Sequence, residues 1–108
     1  MKTGKIIQEL RKRKKLSQQQ LALLSNVSQT YISRLEKKEN LNPSIEVLTN
    51  IGNALGIPYP VIAFLSLEEK DIVPEKRNEY APIERAVNAL VKEFFLKDSS
   101  PVVFGKEI

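Results

Sequence analysis

Four hydrogen-bonding side chains, Gln29, Thr30, Ser33 and Arg34, fall within six residues of one another at helical spacing. Ile32 and Leu35 lie among them, three residues apart, and form an apolar side that turns the four outward. A glutamine amide pairs with the edge of adenine through two hydrogen bonds, an arginine pairs in the same way with guanine, and a threonine methyl touches that of thymine. The chemistry suggested is therefore recognition and not bond-making. The 108 residues contain no His and no Cys, so the commonest general base, metal ligand and thiol nucleophile are missing. There is no glycine-rich phosphate loop. Glu68 and Glu69 are neighbours that a helix points in different directions, a poor acid–base pair. No catalytic residue, metal site or cofactor is expected, and the chain is not expected to be an enzyme.

The elements that must position these side chains are legible in Ser17 to Glu36, SQQQLALLSNVSQTYISRLE. Two short amphipathic segments flank a tight turn. The first runs from Gln18 to Ser25, with Leu21, Ala22 and Leu24 apolar. The second runs from Ser28 to Lys37. Ser17 and Ser28 each precede a segment, where a hydroxyl accepts from an unpaired backbone N–H. Asn26 falls in the turn, and Asn tolerates the left-handed conformation better than any residue but Gly. This pattern specifies a helix-turn-helix, whose second helix enters the DNA major groove.

The same stretch resembles the phage repressor/Cro-like (Xre-type) regulators. Ala22 stands where the two helices cross and only a small side chain fits. Asn26 occupies a position where that family usually has Gly. Leu21, Val27, Ile32 and Leu35 match its locking apolar positions. Ile6, Ile7, Leu10, Arg11 and Leu16 match its first helix. Asn42-Pro43-Ser44 followed by Ile45, Leu48, Ile51, Leu55 and Gly56 matches its fourth. The resemblance covers about residues 3 to 65, with Ser25 and Lys38 as departures from a small apolar residue and a Gly. It implies that Gln29, Thr30 and Arg34 face base edges, joined by Ser33. It places Gln18, Ser28, Tyr31, Lys37 and Lys38 where phosphate contacts occur, with Gln18 also steadying Gln29. Arg11 and Glu36 are implied as a structural ion pair holding the reading helix at a fixed angle.

Charge is distributed unevenly. Residues 1 to 42 carry ten Lys or Arg against three Glu, a net +7, while residues 43 to 108 carry seven against ten acidic residues, a net −3. Polyphosphate binding draws on counterion release by Lys and Arg, so a basic half joined to a mildly acidic half points to a nucleic-acid face and a different second face. The run Arg11 to Lys15 is all basic; one or two of its members are expected at phosphate, without a choice among them. No run of eighteen apolar residues suggests a membrane span, the basic N-terminus lacks the apolar run of a secretion signal, and absence of Cys gives no reason to invoke an oxidising compartment. A cytoplasmic location is the default expectation.

Along the rest of the chain, helices are expected over Thr3 to Lys14, with Lys5, Lys12, Arg13 and Lys14 facing water or phosphate, and over Ser44 to Leu55, stopped by Gly56. A short helix containing Val61, Ile62, Phe64 and Leu65 should follow Pro58 and Pro60. The stretch after Ser66 reads as a short helix plus linker broken by Pro74 and Pro82. A final amphipathic helix is expected from about Pro82 to Lys97, with the turn before it either separate or joined through a kink. Its apolar face comprises Ile83, Ala86, Val87, Leu90, Val91, Phe94 and Phe95. The tail has a β-prone run, Val102 to Phe104.

These readings converge on an all-α, five-helix, lambda-repressor-like DNA-binding domain over residues 1–65, with an extension over 66–108 carrying a dimerisation helix at about 82–97. The expected function is sequence-specific binding of double-stranded DNA as a bacterial or phage-type transcriptional regulator. It should act as a homodimer on an inverted repeat, with Ile83, Val87, Leu90, Val91, Phe94 and Phe95 at the dimer interface. Two other readings use the same elements: an antitoxin whose extension grips a toxin, and an adapter module that does not read DNA.

Overall fold

A computed structural model describes residues 1–37 and 41–96. Among the described residues six α-helices follow one another: α1 (Thr3–Arg13), α2 (Gln18–Ser25), α3 (Gln29–Lys37), α4 (Ile45–Leu55), α5 (Tyr59–Ser66) and α6 (Arg77–Phe94). Two single 3₁₀ turns, Glu69–Asp71 and Pro74–Lys76, separate α5 from α6. There is no strand among the described residues, so the chain is all-α. Lys38, Lys97 and the run Val102 to Phe104 lie outside the described residues.

Side-chain caps set the helix boundaries. Ser17 Oγ accepts from the Gln20 N–H at 3.0 Å, and Gln20 Oε1 accepts from the Ser17 N–H at 2.8 Å, a reciprocal cap that starts α2. Ser28 Oγ accepts from the Tyr31 N–H at 2.9 Å and starts α3. Ser44 does the same for α4 through the Val47 N–H. Asn26 ends α2 at φ 59°, in the left-handed region. Gly56 ends α4 at φ 73°, where a side chain would add strain.

The core is built by Ile7, Leu10, Leu21, Ala22, Ile32, Leu35, Ile51, Ala54, Leu55, Ile57 and Ile62. α1 packs on α3 and α5, α2 packs on α3 and α4, and α4 packs on α5. Gly4 lets α1 cross α3 with backbones nearly touching: an added Cβ would lie 1.9 Å from the Leu35 carbonyl oxygen. Ser25 is fully buried where a small apolar residue would fit, and among the described residues its hydroxyl has no partner.

The C-terminal half departs from expectation in two ways. First, α6 begins at Arg77, five residues before Pro82, so the proline lies inside the helix. It lacks the N–H that would bond the Asn78 carbonyl, but Asn78 is exposed and water can serve that oxygen. Second, the apolar stripe of α6 divides. Val91 is buried, and Phe95 and Leu96 pack against the core. Val91 and Phe95 are thus turned towards their own chain, whereas Ile83, Leu90 and Phe94 are 51%, 67% and 78% exposed. Lys14 also differs from its reading as a solvent- or phosphate-facing residue. It is buried, and its Nζ donates to the Phe95 carbonyl at 2.7 Å. Its position one turn beyond Leu10 and two beyond Ile7 explains this: the inward stripe of α1 continues to residue 14. A cation there also suits the negative end of α6. At the other end of α6, Tyr80 packs near Phe64 and its hydroxyl donates to the Leu67 carbonyl at 3.0 Å.

Candidate nucleic-acid interface

The geometry of α3 follows from its two fully buried residues, Ile32 and Leu35. With these inward, Gln29, Thr30, Arg34 and Lys37 are exposed and Ser33 is half-buried beside them. The residues lie on one side of the helix at i, i+4, i+7 spacing, Thr30–Arg34–Lys37, flanked by Gln29 and Ser33. No ion pair or side-chain hydrogen bond within the chain occupies them among the described residues. The face is a row of unused donors and acceptors.

The angle of that face is held by a junction of three helices. The Glu36 carboxylate at the end of α3 is 1% exposed. Arg11 of α1 donates to it twice, from Nε at 2.7 Å and from Nη2 at 3.0 Å. Arg11 Nη1 also donates to the Leu16 carbonyl at 2.8 Å, tying in the turn that leads to α2. Gln18, the first residue of α2, donates from Nε2 to Glu36 Oε1 at 3.0 Å. Two-pronged arginine–carboxylate bonding is geometrically demanding, so α1, α2 and α3 are locked to one arrangement.

The structure places the other site residues as follows. The Gln18 amide nitrogen bonds Glu36, so steadying of Gln29 is not its contact here; one N–H and the carbonyl oxygen remain. Ser28 Oγ serves as the α3 cap. Tyr31 is half-buried, and burial pushes its phenol above the ordinary value. Lys37 is exposed at the end of the reading face.

Gly4, which lets α1 cross α3, and the core residue Ile57 carried no assigned role in the sequence, and Lys14 was assigned to water or phosphate. A glycine inside an otherwise helical run is a signal of close backbone approach, and the i+4 spacing of Lys14 from Leu10 was a signal that the inward stripe continues. Ile57, fully buried between Gly56 and Pro58, had no periodicity to mark it.

A helix-turn-helix family model matches residues 7–62, from within α1 into α5. The chain belongs to the helix-turn-helix family. It is 34% identical over 98 residues to an immunity repressor protein of Bacillus phage phi105, a match covering 91% of this chain and 65% of that protein. It is 41% identical over 54 residues to the HTH-type transcriptional regulator SlrR of Bacillus subtilis (strain 168), covering 50% of this chain and 36% of the relative. The chain therefore spans no more than about two thirds of the curated relatives it matches. The phage match is long enough to include α6, which the family model leaves out. No solved structure matches significantly.

The helix-turn-helix family is a class of DNA-binding regulators and not an enzyme class. No cluster of acidic residues that could hold a metal occurs among the described residues, and no single described helix is long and apolar enough to cross a membrane.

Proposed function

We propose that this chain regulates transcription by binding double-stranded DNA sequence-specifically. The observation that carries this reading is the unoccupied polar face of α3, held at a fixed angle by the Arg11–Glu36–Gln18 junction. Gln29, Thr30, Ser33 and Arg34 read base edges in the major groove. Gln18, Ser28, Tyr31, Lys37 and Lys38 engage phosphates and set the register. The repressor and transcriptional-regulator names of the two relatives support this reading. Such a protein works beside the genome, in the cytoplasm of a bacterial cell.

One reading helix covers too few bases for useful selectivity. Two of them about 34 Å apart on a two-fold axis give an inverted-repeat operator. The surface supporting a homodimer is the open side of α6. Ile83, Val87, Leu90 and Phe94 follow 4-3-4 spacing, as in a heptad seam. Beside them runs an apolar groove of about 460 Å³, walled on the α5 side by Pro60, Val61 and Phe64. An open apolar face of this kind marks an interaction surface. Residues 1–65 then form the DNA-binding unit and 66–108 supply the association surface. The same groove also fits a helix of a different protein, the arrangement an antitoxin would use on a toxin.

Selection of binding sites from random duplexes, followed by gel shift and sedimentation of the complex, tests the reading. The expected result is an inverted repeat bound by two copies, with affinity falling steeply as salt rises. About five phosphates neutralised per monomer give a log–log salt slope on the order of −9 for a dimer. A slope near zero, or no sequence enriched, would overturn it. A one-to-one complex on a single half-site would remove the dimer and leave the DNA reading intact.

A further inference from the structure

The five-residue basic run at the end of α1 is resolved by the structure into different occupations. Arg11 is spent on Glu36 and the Leu16 carbonyl. Lys14 is buried against the end of α6. Arg13 borders a cleft between α1 and α6, beside Lys92. Lys12, Arg13 and Lys15 remain exposed, and no interaction within the chain engages their charged groups among the described residues.

Lys15 is distinguished from Lys12 and Arg13 by its backbone. Its φ is 61°, in the left-handed region; among the described residues only Asn26 is another non-glycine residue there. Asn has a short polar side chain suited to that conformation, whereas a lysine gains nothing from it and loses stability that a glycine would keep. The backbone around it is also firmly held. The Lys15 N–H bonds the Lys12 carbonyl, the Leu16 N–H bonds the Arg11 carbonyl, and Arg11 returns a bond to the Leu16 carbonyl. Ser17 and Gln18 follow at once, and Gln18 is bonded to Glu36 of the reading helix. A free cation is thus mounted, at a conformational cost, on the same clamp that fixes α3.

We infer that Lys15 is a DNA-phosphate contact, flanking the reading face at the turn between α1 and α2. The inference rests on the DNA-binding reading above and adds to it the member of the basic run that touches the backbone. Its role is sequence-independent: a lysine at a phosphate contributes counterion release and anchors register, without choosing a base.

The test compares Lys15→Gly, Lys15→Met and Lys15→Arg in the full chain, on the selected operator and on a scrambled duplex. Lys15→Gly is expected to weaken both duplexes alike. It should reduce the magnitude of the log–log salt slope by about 0.9 per monomer, one phosphate contact. Its thermal unfolding midpoint should be unchanged or higher, because glycine relieves the left-handed backbone. Lys15→Met should lose the same affinity without that relief, and Lys15→Arg should retain both slope and affinity. Parental affinity and slope in Lys15→Gly would overturn the inference. So would a lowered unfolding midpoint in Lys15→Gly, which would assign the lysine to the fold. A parent chain that binds neither duplex would instead sink the DNA-binding reading itself.

Discussion

The reading helix and the C-terminal helix are both amphipathic, yet they use their faces differently. α3 has one apolar side, fully buried, and one polar side left unoccupied. α6 has an apolar stripe that is wider than its seat on the domain: Val91 and Phe95 pack inward while Ile83, Leu90 and Phe94 stay open. The difference teaches that an apolar stripe specifies a helix and a need for burial, but not the surface that meets the need. In α3 the stripe is only as wide as one packing contact. In α6 it is wide enough for two, and only one is filled by the chain itself.

The comparison can be broken most severely at the clamp. Arg11→Ala leaves the Glu36 carboxylate buried with only Gln18 to serve it, and should cost about 3–5 kcal/mol of folding stability. Denaturant unfolding measures it. A loss under 1 kcal/mol would mean that α3 is held by packing alone. On the open face of α3 the expected effect is on binding and not on folding. Arg34→Ala and Gln29→Ala should each weaken the operator complex by roughly 1–3 kcal/mol and relax preference at one base pair, with unfolding midpoints unmoved. If the ranking of operator variants survived Arg34→Ala, base reading by that residue would be wrong.

The two sides of α6 should separate in the same way. Val91→Ala removes buried methyl groups and should lower stability by about 1–2 kcal/mol without altering mass in solution. Leu90→Glu should produce monomers by light scattering while leaving the unfolding midpoint nearly intact. Both variants losing stability, with no change in mass, would make the whole helix part of the domain core. A smaller effect of opposite sign is expected at Ser25. Among the described residues its buried hydroxyl has no partner, so Ser25→Ala should stabilise by about 1 kcal/mol. Any loss there would point to an unrecognised bond.

The mildest expected effect depends on pH. The Glu68 backbone N–H, and beside it the Met1 ammonium, hold the Asp71 carboxyl below its ordinary value. A lowered folded value means stability that is present above the ordinary carboxylate range and is lost as pH falls through the folded value. Asp71→Asn should remove that acid-limb contribution and leave the Arg11–Glu36 clamp untouched. Identical pH profiles of the unfolding midpoint for parent and variant would exclude it.

Much of this protein was determined locally, and those parts were legible. Ser17, Ser28 and Ser44 cap their own helices, Asn26 and Gly56 end theirs, and Ile32 and Leu35 dictate which way Gln29, Thr30 and Arg34 point. Each of these depends on residues within about one helical turn, so the pattern alone carries them. Pro82 misled at the same level, since a proline in the second turn of a helix loses only one bond, to an oxygen that water can reach. What only the tertiary structure decided is which surfaces meet. Lys14 joined the core because the end of α6 lay over it, Gly4 was needed because α3 crossed there, and Gln18 turned to Glu36 because Arg11 had already brought that carboxylate within reach. The division of the α6 stripe has the same origin. A helix shows the same period whatever it packs against, and only the arrangement of neighbours, far apart in sequence, determines which of its apolar residues are covered.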